Sequence, residues 1–135
     1  MKKLFLALII LLLATPAMAD YKFAENWNWK NTVLEGAFVA ASLVDLSQSF
    51  YIVDHPVQYY EGINFLLPKH PTREQFYFMI GGITLVHAGI SLVLPMEAEI
   101  FGYKWNPRLW WQTTTLVLEV SNDIRNACIG IGVSY

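Results

Sequence analysis

Glu35, Asp45, His87 and Glu119 stand inside long apolar stretches of the chain, where an ionisable side chain is expensive to keep without a purpose. Carboxylates gathered with an imidazole can hold a divalent cation or exchange protons, and a set with one imidazole suits a harder ion better than structural zinc. A cation held by these four residues, with a bound water as nucleophile, would make a membrane-embedded hydrolase. Gln48, Asn122 and Asn126 open a second possibility, because amides at helical spacing from the acids bind helices together without any reaction. Arg125 could then neutralise one carboxylate. The chain has no H-E-x-x-H, no nucleophile elbow and no phosphate-cradling glycine loop. Glu61 and Asn64 lie in a long connection, 54–75, that can fold back to the mouth of the polar set or leave both residues solvated. His55 and His70 each precede proline, which fits exposed turns better than metal sites.

Three stretches must position these groups: 33–53, 76–94 and 109–133. Each is long enough, at about 1.5 Å per residue, to cross a hydrocarbon layer of ~30 Å. Pro56, Pro68 and Pro71 break the first connection, and Pro95 and Pro107 the second. Thr72-Arg73-Glu74-Gln75 reads as a capping box opening the middle helix. A charge near the centre of an isolated membrane helix costs at least ~2.5 kcal/mol, so the acids of the outer stretches must turn towards one another. Helical spacing allows it. Gln112, Thr115, Glu119, Asn122 and Asn126 share one side of the last helix, with Asp123 and Gly130 near them, while Val117, Val120, Ile124, Cys128 and Ile131 share the other. Glu35, Ser42, Asp45 and Ser49 line one side of the first, with Gln48 at the border and Phe38 and Val39 interrupting the seam. Thr84, His87 and Ser91 align in the middle helix, and Gly82 and Gly89 lie on another face.

Composition agrees with a greasy, small protein. Of 135 residues 55% are apolar and 15% charged, and the formal charge of -2 gives nucleic acid no purchase. Cys128 is the single cysteine, which excludes an internal disulfide, and its apolar neighbours suggest an inert thiol. Lys2 and Lys3 precede the apolar run Leu4 to Ala14 and then Ala17-Met18-Ala19, the pattern of a bacterial secretory signal cleaved after Ala19. The alternative, an uncleaved first span, is handicapped by the shortness of that run. Export places 20–32 and 95–108 outside and 54–75 inside; basic residues are spread evenly and do not decide orientation. Trp27, Trp29, Tyr59, Tyr60, Trp105, Trp110 and Trp111 flank the spans, as headgroup-seeking aromatics do, although ordinary core packing would also use them.

The combination of Asp45-x-x-Gln48, the Glu61 and Asn64 loop, His70-Pro71-Thr72, His87, and Glu119 with Asn126 resembles a loosely defined group of small bacterial and prophage-associated membrane or exported proteins. The resemblance covers roughly 35–132, with Phe65 where group members carry proline after the asparagine, and it implies no enzyme activity or ligand. The expected fold class is all-α: a signal peptide, 1–19, then one helical transmembrane domain, 20–135, with three spans in the inner membrane. The expected partners are the lipid bilayer and a membrane protein or second copies of the chain. A structural or interaction role in the envelope, the hydrolase, and a proton or ion path built by an oligomer are the three functional expectations. A secreted soluble bundle would instead turn the polar seams to water, and an outer-membrane barrel is suggested only by the alternation Ile129 to Val133.

Overall fold

The computed structural model describes residues 23–60 and 67–135. The expected signal, 1–19, and the loop residues Glu61 and Asn64 lie outside them. Among the described residues the order is α1 (Trp29–Asp54), α2 (Arg73–Val93), β1 (Ala98–Ile100), β2 (Tyr103–Trp105) and α3 (Pro107–Cys128). At about 1.5 Å per residue the helices are ~39, ~32 and ~33 Å long. Two of them, α1 and α2, are long and apolar enough to cross a membrane. The third has the length but carries Arg108, Glu119, Asp123 and Arg125.

Each helix begins on a side-chain cap that satisfies its orphan amides. Asn28 Oδ1 accepts from Lys30 N at 2.9 Å, and Asn28 N donates to Asn31 Oδ1 at 3.1 Å, so α1 starts ahead of its apolar run. The Thr72 box is present in both directions: Thr72 N donates to Gln75 Oε1 at 2.9 Å and Gln75 N to Thr72 Oγ1 at 3.3 Å. Asn106 caps α3, with Pro107 in the first turn where its missing N–H costs nothing.

Two sequence expectations need correction. The last apolar stretch is not helical to 133; α3 ends at Cys128, where Gly130 adopts φ +88°. Residues 129–135 then fold back along α1, with Ser134 N donating to Ser47 O at 3.1 Å. Gly132 lies so close to Tyr51 that a Cβ would stand 3.0 Å from its ring, and Ile131, expected on an outward face, is buried. The connection before α3 is also not a plain loop, so the fold is mostly rather than wholly helical. It is an antiparallel hairpin pairing Ala98 with Trp105 and Glu99 with Lys104. Its turn, Phe101-Gly102, has φ +53° and +81°, the positive pair that a two-residue hairpin turn of type I′ requires. Phenylalanine in that conformation costs about 1–2 kcal/mol, and so the turn carries none of the usual Asn-Gly signal.

Register fixes the topology. Hydrogen-bonded partners on α1 and α3 are separated by 81 residues at Asn31 and Gln112, 77 at Asp45 and Asn122, and 78 at Gln48 and Asn126. A nearly constant offset means that α1 and α3 run in the same direction. The intervening α2 returns between them, since its start meets the end of α1 through Arg73 and Asp54 and its end meets the start of α3 through Leu94 and Arg108. One end of the bundle therefore collects the start of α1, the hairpin and the start of α3. Arg108, fully buried, ties this end together by donating to Leu94 O and Glu25 O at 2.9 Å each and lying over the Trp27 ring.

Burial is inverted relative to a water-soluble bundle. A small apolar cluster of Phe50, Phe76 and Ile80 sits towards the opposite end, with Leu46, Val53, Leu67 and Met79 around it. Elsewhere the interior is largely polar: Asn31, Ser42, Gln48, Ser49, His87, Ser91, Gln112 and Asp123 are buried, alongside Phe38, Ala41, Ile52 and Ile131. The outside is apolar, with Phe78 83% and Leu85 76% exposed on α2, and Leu43, Leu118 and Ile124 exposed on its neighbours.

Candidate functional site

The polar interior has two parts at different heights. The first is centred on His87, which α2 carries between α1 and α3. Its Nδ1 lies 2.8 Å from Glu35 Oε1 and its Nε2 2.8 Å from Thr115 Oγ1. Thr115 Oγ1 also lies 2.7 Å from Trp111 O, so the hydroxyl links the ring to the backbone of α3. Phe38 stacks on one face of the imidazole at 3.6 Å between centroids and 7° between planes, and Trp111 lies over it at 5.4 Å. The second Glu35 oxygen accepts from Gln112 Nε2 at 3.1 Å, and Gln112 Oε1 accepts from Asn31 Nδ2 at 2.9 Å. Asn31 thus serves the α1 cap with its oxygen and α3 with its nitrogen.

The second part joins α1 and α3 alone. Asn122 Nδ2 donates to Asp45 Oδ1 at 3.3 Å, Asn126 Nδ2 to Gln48 Oε1 at 3.0 Å, and Gln48 Nε2 to Asp123 O at 3.0 Å. Glu119 stands one turn above, beside Ser42. Asp123 Oδ1 is buried without a hydrogen-bond partner among the described residues.

Glu35 and His87, Asp45 and Asn122, and Gln48 and Asn126 are therefore brought together, while Glu35 and Asp45 lie ten residues, roughly 15 Å, apart along α1. The cation set Glu35, Asp45, His87 and Glu119 does not share one centre, and among the described residues no three His, Cys, Asp or Glu side chains stand where they could hold a metal ion. Phe38 changes meaning: it does not interrupt the α1 seam but supplies the plate against which the imidazole lies. Asn31 escaped sequence reasoning because it precedes the apolar run, although an asparagine three residues after a capping asparagine was the available signal. Gln112 and Thr115 were visible on the α3 stripe, yet nothing in their spacing said that they would meet His87. Arg125 is on the exposed side of α3, and Cys128 is exposed rather than packed.

Below the second part, where α1 leaves the apolar stretch, Asp54 closes the bundle. Its carboxylate takes a short hydrogen bond from Ser134 and bonds of 2.8 and 3.0 Å from Arg73 Nη2, whose Nη1 also donates to Tyr135 O. The Ser134 hydroxyl and then the Arg73 guanidinium hold the Asp54 carboxyl below its ordinary range. His55, one residue on, stacks on Tyr51 and bonds Tyr51 O through Nδ1 at 2.9 Å, a turn-stabilising arrangement. Comparison with protein-family models, curated proteins and solved structures finds no match to this chain.

Proposed function

We propose that the chain is a small polytopic protein of the bacterial inner membrane, exported on a cleaved signal, whose three helices cross the bilayer around a polar seam and serve a structural or interaction role in the envelope. The observation that carries this reading is the inversion of burial, with amides and a His–carboxylate pair inside and Phe78, Leu85, Leu118 and Ile124 outside. In water that arrangement would expose apolar area without compensation; in lipid it hides the amides, the His87–Glu35 pair, Arg108 and Asp123, while Arg125 stands exposed in the last turn of α3. Rigid, apolar helix flanks are what such a subunit offers a membrane partner or another copy of itself.

The test is fractionation with alkaline carbonate extraction, combined with intact-mass measurement. The expected result is a carbonate-resistant membrane protein whose mass begins at Asp20; a processed chain recovered as a detergent-free soluble monomer overturns the reading. A second reading, passage of protons, draws support from the linked groups Gln112, Glu35, His87 and Thr115, with Glu119, Asp123 and Asp45 farther along the seam. A pH-sensitive dye in proteoliposomes checks it, and a flux unchanged by Glu35→Gln and Glu119→Gln eliminates it.

A further inference from the structure

We infer that the β1–β2 hairpin is an interfacial anchor, which inserts the Phe101 ring into the headgroup layer of the bilayer on its own side of the bundle. Three observations converge on this segment. Phe101 occupies the turn at φ +53°, a conformation that glycine or asparagine would adopt without strain, and its ring is 97% exposed with nothing in the fold to repay its position. The hairpin is level with the start of α1, the end of α2 and the start of α3, because Ala24 N bonds Leu92 O at 2.9 Å and Arg108 bonds both Leu94 O and Glu25 O. Its lipid-facing continuation is therefore the apolar outer side of the same helices. Exposed aromatics with polar atoms gather at this end: Tyr103, Trp105 and Trp110, the two tryptophans edge to face at 6.4 Å, with Trp29 across the bundle. Such rings favour the layer where an apolar body and a hydrogen-bonding atom are both satisfied.

The charge pattern selects lipid over an acidic or basic protein surface. Glu99 and Lys104 face each other across the strands, so the paired residues of the hairpin carry no net charge, and what is left to recognise a partner is aromatic. Asn106 Nδ2 meets Met96 Sδ at 3.7 Å and Arg108 N bonds Pro95 O at 3.3 Å, which roots the hairpin at its base and leaves the turn projecting.

This inference rests on the membrane reading, and one experiment separates the two. The full chain carrying Cys128→Ser, with either Phe101→Cys or Leu85→Cys, is labelled with an environment-sensitive fluorophore and reconstituted into phosphatidylcholine vesicles. Loss of fluorescence is then read against aqueous iodide, a lipid spin-labelled near its headgroup and a lipid spin-labelled deep in its acyl chain. The label at position 101 is expected to lose most signal to the shallow lipid and the label at 85 to the deep one. Quenching at 101 by iodide alone, with 85 still quenched by the deep lipid, overturns the anchor while the membrane reading stands, and leaves a protein partner as the occupant of the tip. Iodide quenching at both positions overturns both. Phe101→Asn, which suits the turn but lacks the ring, keeps the fold and is expected to red-shift the tryptophan emission of the reconstituted protein; no shift counts against insertion.

Discussion

The two parts of the seam differ in how many helices they commit. Around His87 three helices converge, and the ring is held by two hydrogen bonds and two aromatic faces. Around Asp45 and Gln48 only α1 and α3 meet, through amide hydrogen bonds, and one carboxylate oxygen of Asp123 is buried with no hydrogen-bond partner among the described residues. The first arrangement dictates where α2 sits. The second merely keeps two parallel helices in step. Polar residues of similar composition thus do unequal work because one set closes a three-way junction and the other a two-way seam.

His87→Ala is the sharpest way to break this contrast. It leaves the Glu35 carboxylate with Gln112 as its remaining partner and empties the gap between Phe38 and Trp111, and the expected loss is about 3–5 kcal/mol, measured by denaturant unfolding in detergent. A loss smaller than that of Gln48→Ala would reverse the ranking of the two parts. Next comes Gln48→Ala, which removes a donor from Asp123 O and an acceptor from Asn126; about 1–3 kcal/mol is expected, with α2 still docked by cross-linking. Double-mutant cycles sharpen the comparison further, with coupling of about 2 kcal/mol or more between Glu35 and His87 and less than about 1 kcal/mol between Asp45 and Asn122. Asp123→Asn is expected to be neutral or to stabilise by up to about 1 kcal/mol, because it lightens a carboxylate that has acidic neighbours and no partner for one oxygen; clear destabilisation would mean that this oxygen is engaged.

The smallest effect belongs to the exposed Asp54 clamp. Its carboxyl is held low when folded, so its contribution is complete above the ordinary carboxylate range and is lost as pH falls through the lowered folded value. Asp54→Asn should flatten the acid limb of the stability profile slightly and leave neutral behaviour alone, as thermal unfolding across a pH series would reveal.

Much of the candidate site could be read from spacing. The α3 stripe, the Thr72 box, and the membership of Glu35 and His87 in polar faces were all legible, since each is a property of one helix. Pairing was not legible. Which turn of α3 faces which turn of α1 depends on how many residues the return through α2 and the hairpin consumes, and no periodicity reports that number. Phe38 misled for a related reason: an aromatic inside a polar face breaks the pattern along α1, and only a ring arriving from α2 explains it. The hairpin escaped because its turn uses Phe101 where the usual signals are Asn, Asp or Gly. The end of α3 was overextended because Ile129 to Val133 stays apolar while the backbone leaves the helix through a turn at Ile129 and Gly130.

The constant spacing between α1 and α3 has a consequence for synthesis. A ribosome delivers Asp45 and Gln48 some 77 and 78 residues before the amides that complement them. During that interval the α3 amides that complement those groups do not yet exist, and whatever shelters the leading helix, whether translocation machinery or a folding factor, must release it only after the trailing helix has emerged. A message truncated before codon 112 would therefore yield a protein whose Asn31, Asp45 and Gln48 lack their α3 complements, a natural mark for proteolytic disposal.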